Sequence, residues 1–211
     1  MSLAGKQSRI KVGSITSTVF TTEAMALQVG VGSTTYKITD STKKYFDKNK
    51  TITFFDAGTP ILESEISRID WLIGVVVLKN TTVGAITATG SFFTTSTIGW
   101  ARTFNSDTTA DTEDITTFES VKTNSGFRTK EVTLLSVSGS IGGLYDPTES
   151  LQNYFFNGAT IIIEEIFDID TSESGKVFEA IIESDNENAD VESIVTEDVS
   201  FTSTGAVYLQ I

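Results

Sequence analysis

Carboxylates are the side chains of this sequence that could do chemistry, since the chain contains neither cysteine nor histidine. Thiolate nucleophiles, imidazole bases and zinc sites built from Cys or His are therefore excluded. The acidic stretches 164–170 and 185–190 could supply the two carboxyl groups that a glycosidase places about 5–9.5 Å apart in a cleft. They fall on strand edges and turns of a strongly acidic chain, so solvated or channel-facing charge is the favoured interpretation. We expect no enzyme activity, no cofactor and no bound metal.

Two glycine-containing segments resemble ligand loops only in part. Asp168–Gly175 alternates oxygen-bearing side chains as a calcium loop does, but it lacks the glycine and the glutamate that close such a loop. A hairpin turn with Gly175 at positive φ is the favoured prediction. Gly139, Gly142 and Gly143 lack the spacing of a phosphate-binding loop, and they predict a bulge or close packing instead.

The length and mean hydropathy of the chain limit the classes of protein to which it can belong. The chain has 211 residues and a mean hydropathy of +0.02, which fits one large all-β domain or a core with a smaller module. Its longest apolar run, Trp71–Leu78, is far shorter than the roughly 20 residues that cross a bilayer. The first ten residues show no secretory signal pattern. We expect no membrane association, and synthesis in the cytoplasm.

The net charge of −13 is unevenly placed along the chain. Residues 1–18 carry +3, residues 19–97 are neutral, and residues 98–211 carry 5 basic against 21 acidic groups. An acidic surface repels phosphate, because DNA binding requires Lys and Arg to displace counterions. Tight nucleic-acid binding is not expected. An acidic surface of this kind could, however, line a channel through which DNA passes without adhering.

Short segments rich in Thr, Val, Ile and aromatics, separated by Gly, Asn, Asp and Ser, predict antiparallel strands. We place strands near residues 10–18, 34–39, 51–55, 74–78, 85–93, 100–105, 130–145, 160–167, 177–183, 193–204 and 207–211. The apolar alternation changes phase around Leu135, which predicts a bulge. One helix is expected from Asp146, which can cap it, to the stop signal at Asn157. A weaker helical turn is expected over Asp40–Phe46.

Several motifs, in order, resemble the major tail (tail tube) proteins of long-tailed phages with non-contractile tails. They are GKQSRIKVGS from Gly5, the acidic run from Trp100 to Ser120, GFR from Gly126, LSVSGS from Leu135 and GLYDP from Gly143. The similarity covers residues 5–18 and 98–211. Residues 19–97 interrupt it, and we predict that they form a small inserted β-module beside a discontinuous domain of residues 1–18 and 98–211.

The resemblance implies a mainly-β fold: an antiparallel sandwich or open barrel with one flanking α-helix. It also implies that the chain self-assembles into hexameric rings, and that these rings stack into a tube. The tail would be assembled in the cytoplasm of the bacterial host and would be part of the virion. The partners would be further copies of the chain, a tape-measure protein and other tail proteins. DNA would pass through the acidic lumen without tight binding.

Two groups of acidic or apolar residues are the candidate sites. The polar stretch 106–126 is long enough to be functional, and we expect it to be an arm that contacts the next ring. Its candidates are Asp107, Asp111, Glu113, Asp114, Phe118 and Glu119. Candidates for the lumen charge are Glu183, Asp185 and Glu187.

Two alternatives remain from the sequence. One is a monomeric β-sandwich binding module, for example for carbohydrate, using Tyr36, Tyr45 or Trp71 of the neutral insert. The other is a related tail-tip or terminator protein, because one scaffold can serve several roles.

Overall fold

The computed structural model describes residues 9–14, 16–28, 34–82, 84–98, 101–114, 130–145, 160–166, 175–189 and 195–210. The structure is mainly β, with antiparallel pairing throughout these ranges. The strands are β1 (Arg9–Gly13), β2 (Thr18–Leu27), β3 (Thr35–Ile38), β4 (Tyr45–Phe46), β5 (Thr53–Asp56), β6 (Thr59–Pro60), β7 (Ile66–Asp70), β8 (Val75–Leu78), β9 (Ile86–Phe93), β10 (Thr95–Thr97), β11 (Ala101–Asp114), β12 (Lys130–Leu144), β13 (Ile161–Ile166), β14 (Gly175–Asn188), β15 (Thr196–Ser203) and β16 (Tyr208–Gln210). Two 3₁₀ turns, Ser41–Lys43 and Glu63–Glu65, are the helical elements within the described ranges.

The chain divides into two compact units. Unit 1 consists of residues 1–10 and 98–211, and unit 2 consists of residues 11–97. The first boundary falls inside β1 and the second directly after β10.

Unit 2 is built on a sheet with the order β6-β5-β9-β2-β3-β8-β7, and β4 also pairs with β9. β10 pairs with the part of β1 that belongs to this unit. Alternating apolar residues on these strands form a core in which the rings of Phe20, Phe46 and Phe54 pack at centroid distances of 5.8–6.4 Å. The aromatic residues proposed for carbohydrate binding belong to this interior: Tyr36 and Tyr45 are buried, and Trp71 packs partly buried against it.

In unit 1 the strand order is β1-β13-β14-β15-β12-β11, and β16 also pairs with β14. One sheet of the protein curls into half of a barrel, and the contact between Ser106 on β11 and Glu165 on β13 indicates that it is this one. The ring of Phe201 stacks on that of Phe104 and packs at a tilt against that of Phe178. Side chains of β11 consequently reach those of β13, although three strands separate the two in the sheet.

The backbone shows both the helical turn expected near Asp40 and the bulge expected near Leu135. The helical turn expected over Asp40–Phe46 is the 3₁₀ turn Ser41–Lys43, which Asp40 caps by accepting a hydrogen bond from the Thr42 amide (3.0 Å). The change of phase in β12 is a register shift opposite Asp111 and Thr112, slightly before Leu135. The flanking helix predicted from Asp146 lies outside the described residues.

The predicted positive φ of Gly175 was wrong. Gly175 is the first residue of β14 and does not have positive φ. A Cβ at this position would overlap the carbonyl group of Glu165 on β13, so glycine permits the two strands to approach. Close packing was correctly predicted for Gly139 and Gly142, where a Cβ would meet Phe201 at 2.8 Å and Thr103 at 2.7 Å respectively.

Candidate assembly surface

The β11–β12 hairpin extends past the strand that supports it. β12 pairs with β15 from Ser138 to Leu144, whereas it continues to pair with β11 as far as Lys130, opposite Asp114. At the end of β15, the Ser203 hydroxyl accepts a hydrogen bond from the Val137 amide at 2.8 Å. Beyond that point the described backbone is a two-stranded ribbon, which we call the β11–β12 ribbon (residues 107–114 and 130–137).

The described side chains of β11 in the ribbon are exposed, whereas on β12 exposure falls from Leu135 to the buried Val137. Residues Asp107, Thr108, Thr109, Ala110 and Asp111 are exposed on β11. On β12, Leu135 lies opposite Ala110 and keeps 58% of its surface exposed. A hydrogen bond of 2.8 Å between the Thr109 and Ser136 hydroxyls joins the two strands. The described part of the ribbon therefore presents polar and acidic side chains on β11 and the large apolar side chain of Leu135 on β12.

The predicted arm begins as a strand rather than as an irregular polar stretch. Residues 106–114 continue β11, and their backbone pairs with β12 on one side of the strand. Asp107 and Asp111 are exposed on this strand, two residues to either side of Thr109. Glu113 and Asp114 are the last two residues of β11, and the structure describes their backbone only. Phe118 and Glu119 lie outside the described residues. The sequence missed the strand because neither of its faces is buried, so no apolar alternation marks it.

The base of the ribbon contacts a buried carboxylate. Glu165 on β13 is only 1% exposed, and its Oε2 accepts a hydrogen bond of 3.1 Å from the Ser106 hydroxyl on β11. Burial raises the pKa of Glu165, and the Ser106 hydrogen bond and the charge of Lys176 oppose that rise. Lys176 also donates to the Thr108 hydroxyl at 2.9 Å. Polar contacts thus hold the first part of β11 against β13 and β14.

The three lumen candidates lie on β14, but a bulge interrupts their alternation. The register with β15 shifts between Ile182 and Ser184, so Glu183 has no direct partner and is exposed. Asp185 lies opposite the buried Val199, and both of its carboxylate oxygens are buried without a hydrogen bond. Burial, and then the charge of Glu187, raises the pKa of Asp185. The structure thus brings Asp185 and Glu187 together and separates Glu183 from them.

Sequence reasoning missed a further acid at this end of the sheet. Glu197 on β15 is fully buried and lies between Gly143 of β12 and Glu187 of β14. It stands in phase with Val199 and Phe201, which are also buried. An acid inside an alternating apolar pattern was the signal that could have identified it. Glu164 and Glu165, read as surface charge from sequence, are likewise buried on β13.

The described ranges contain no group of three or more acidic residues that could hold a metal ion. Within the same ranges, no helix is long and apolar enough to cross a membrane.

Two gene transfer agent particles are among the solved structures that resemble this chain. One is the tail of an empty gene transfer agent particle, computed with C6 symmetry: a chain in it is 20% identical, with a TM-score of 0.47, and the match covers 56% of this chain and 87% of that chain. The other is the virion of a native gene transfer agent particle, with 22% identity, a TM-score of 0.46 and coverage of 56% and 89%. No family model and no curated protein matches the sequence. The two likenesses are too distant to say what this chain does.

Proposed function

We propose that this chain is a structural subunit of a phage tail, and that copies of it assemble into the tail tube. The observation that carries the proposal is the β11–β12 ribbon, which continues past its supporting strand β15 and exposes residues 107–111 and Leu135. The order of the tail-tube-like motifs in residues 5–18 and 98–211 supports the same interpretation.

A two-stranded ribbon gains little stability by itself in water, because three strands or a packing partner are normally needed. The ribbon presents Leu135 at 58% exposure, together with unpaired edge groups of β11, the last strand of its sheet. Such an edge invites pairing with another chain unless it is covered. A neighbouring copy of this protein is the partner that would cover it, and it would contact Asp107 and Asp111 as well.

The charge of unit 1 fits a channel that conducts DNA. Unit 1 carries 7 basic and 21 acidic residues, a net charge of −14, whereas unit 2 carries 8 basic and 7 acidic residues. We infer that part of this acidic surface, including the exposed Glu187, lines the lumen of stacked, hexameric rings. Negative walls repel the phosphates of the passing duplex and so prevent its retention.

Within this proposal unit 1 is the tube domain and unit 2 is an inserted module. The tape-measure protein and other tail proteins would be the heterologous partners, and the assembled virion tail would be the location. The alternative of carbohydrate binding through Tyr36 or Tyr45 is not favoured, because both side chains belong to the core of unit 2.

Electron microscopy of the purified full chain over a range of concentrations tests the proposal. We expect rings with a central hole, or tubes. The variant Leu135→Asp should leave the protein folded and abolish assembly, because it places a charge in the middle of the proposed contact. Leu62→Asp is the matched control, since Leu62 is equally exposed (64%) but lies in unit 2.

Assembly that survives Leu135→Asp unchanged would contradict the role of the ribbon. A strictly monomeric wild-type protein at high concentration, also in the presence of preformed tail tips, would contradict the tube proposal. Single rings that never stack would favour a tail-tip or terminator protein instead.

A further inference from the structure

Unit 2 contains an open cavity of about 390 Å³ beside the β5–β6 turn. Its walls come from the end of β5, the β6 segment, the second 3₁₀ turn and the chain that follows β8. The cavity is independent of the ribbon and of the acidic end of the sheet in unit 1. Neither the assembly proposal nor the tail-tube motifs give it a role.

The lining of the cavity combines two carboxylates with an apolar wall. The acidic residues of the lining are Asp56 and Glu65, and its neutral polar residues are Asn80 and three threonines. The apolar part consists of Pro60, Ile61 and Leu78. None of the lining residues is Lys or Arg. A negatively charged ligand would therefore meet two like charges and no compensating cation.

The two carboxylates are held in place by different elements. Asp56 ends β5, where the turn Asp56–Thr59 packs against Gly84: a Cβ at Gly84 would lie 2.5 Å from Asp56 Oδ1 and 2.6 Å from the Ala57 Cβ. Glu65 ends the second 3₁₀ turn, and its Oε2 accepts a hydrogen bond of 3.0 Å from the Leu62 amide. The nearby Lys79 donates to the Ser64 carbonyl oxygen at 2.7 Å and does not line the cavity.

We propose that this cavity binds an ammonium or guanidinium group carried on an aliphatic chain. The cationic head would lie between Asp56 and Glu65, where charge-assisted hydrogen bonds are the strongest available. The aliphatic stem would pack against Pro60, Ile61 and Leu78, as the stems of Lys and Arg do on apolar surfaces. A free polyamine and a basic side chain of another protein both carry this chemistry.

Isothermal titration calorimetry of the full chain tests the proposal with two probes: spermidine, and a capped Gly-Arg-Gly peptide. We expect at least one of the probes to bind, with an affinity that falls as salt is added. Asp56→Asn and Glu65→Gln should each weaken binding about tenfold or more, because each replaces a charged acceptor by a neutral one of the same shape. Glu63→Gln is the matched control: it removes an equal charge from the same 3₁₀ turn but does not line the cavity.

The two probes distinguish the sources of the cation. Binding of spermidine alone would support a free polyamine, and binding of the peptide would support a basic segment of a partner. Absence of binding by both at millimolar concentration would overturn the proposal. An equal loss in all three variants would also overturn it, because it would show attraction to net charge only.

Discussion

Gly139 is a residue of unit 1 at which the packing beside the ribbon leaves little room for a larger side chain. A Cβ there would overlap the carbonyl oxygen of Asn105 on β11 and lie 2.8 Å from Phe201 Cζ. We expect Gly139→Ala to lower the free energy of unfolding by about 1–3 kcal/mol, the usual cost of overpacking. Thermal unfolding followed by circular dichroism measures it. Gly205→Ala is the control, since its Cβ would meet nothing closer than Glu179 at 3.7 Å; equal effects of the two variants would contradict the argument.

Glu165 gives unit 1 a pH dependence of known sign. Its pKa is raised by burial, so the folded state binds the proton more tightly than the unfolded state does. The corresponding stability is fully present below the ordinary value of 4.5 and is lost as pH rises through the raised pKa. We expect Glu165→Gln to be more stable than the wild type at pH 7, and the difference to shrink as pH falls towards 4. Urea unfolding at both pH values tests this.

Ser106→Ala should act in the opposite direction at the same site. It removes the hydroxyl that donates to Glu165 Oε2, and a hydrogen bond to a charged group contributes about 1.5–3 kcal/mol. We therefore expect a loss of stability at pH 7 that becomes smaller at pH 4, where the carboxyl group is neutral. Differences that do not change with pH, in either variant, would show that burial of the Glu165 charge is not their cause.

At the scale of elements, the ribbon and the supported part of its hairpin should differ in hydrogen exchange. Amides of residues 138–144 lie between β11 and β15, whereas those of 107–111 belong to the edge strand of the ribbon. In the dissociated chain we expect fast exchange in the ribbon and slow exchange in 138–144. On assembly the ribbon should become protected by at least about tenfold, while 138–144 change little. A ribbon that exchanges equally fast in rings or tubes would rule it out as the contact.

The elements also show what the sequence could predict. Strands with an apolar face, such as β9 and β15, were found because burial on one face imposes alternation. The second half of β11 was missed because it is specified by its pairing with β12, which lies far along the chain, and not by its own pattern. Glu183, Asp185 and Glu187 alternate in sequence, yet the bulge after Ile182 separates the first from the other two. Such a register shift depends on the partner strand and leaves little local signal.

For the whole molecule, the two units differ sharply in charge, and under the proposed function this difference would affect both ring assembly and DNA transport. Copies of unit 1 at −14 repel one another, so ring formation should increase with salt up to physiological ionic strength, where the Debye length is about 8 Å. The same charge should keep DNA from adhering to the lumen.

Reversing part of this charge tests the transport role separately from assembly. In the triple variant Glu183→Lys, Asp185→Lys and Glu187→Lys, the net charge of each subunit rises by six, and the lumen should retain DNA. We expect tubes of normal appearance that bind short duplex DNA at low salt and release it as salt is added, whereas wild-type tubes bind none. The matched neutral variant with Gln, Asn and Gln at these positions should bind weakly, because it removes repulsion without adding attraction. Reversed tubes that still exclude DNA would place these residues away from the lumen, because a charge change of this size in the wall of a narrow channel must alter the potential along its axis.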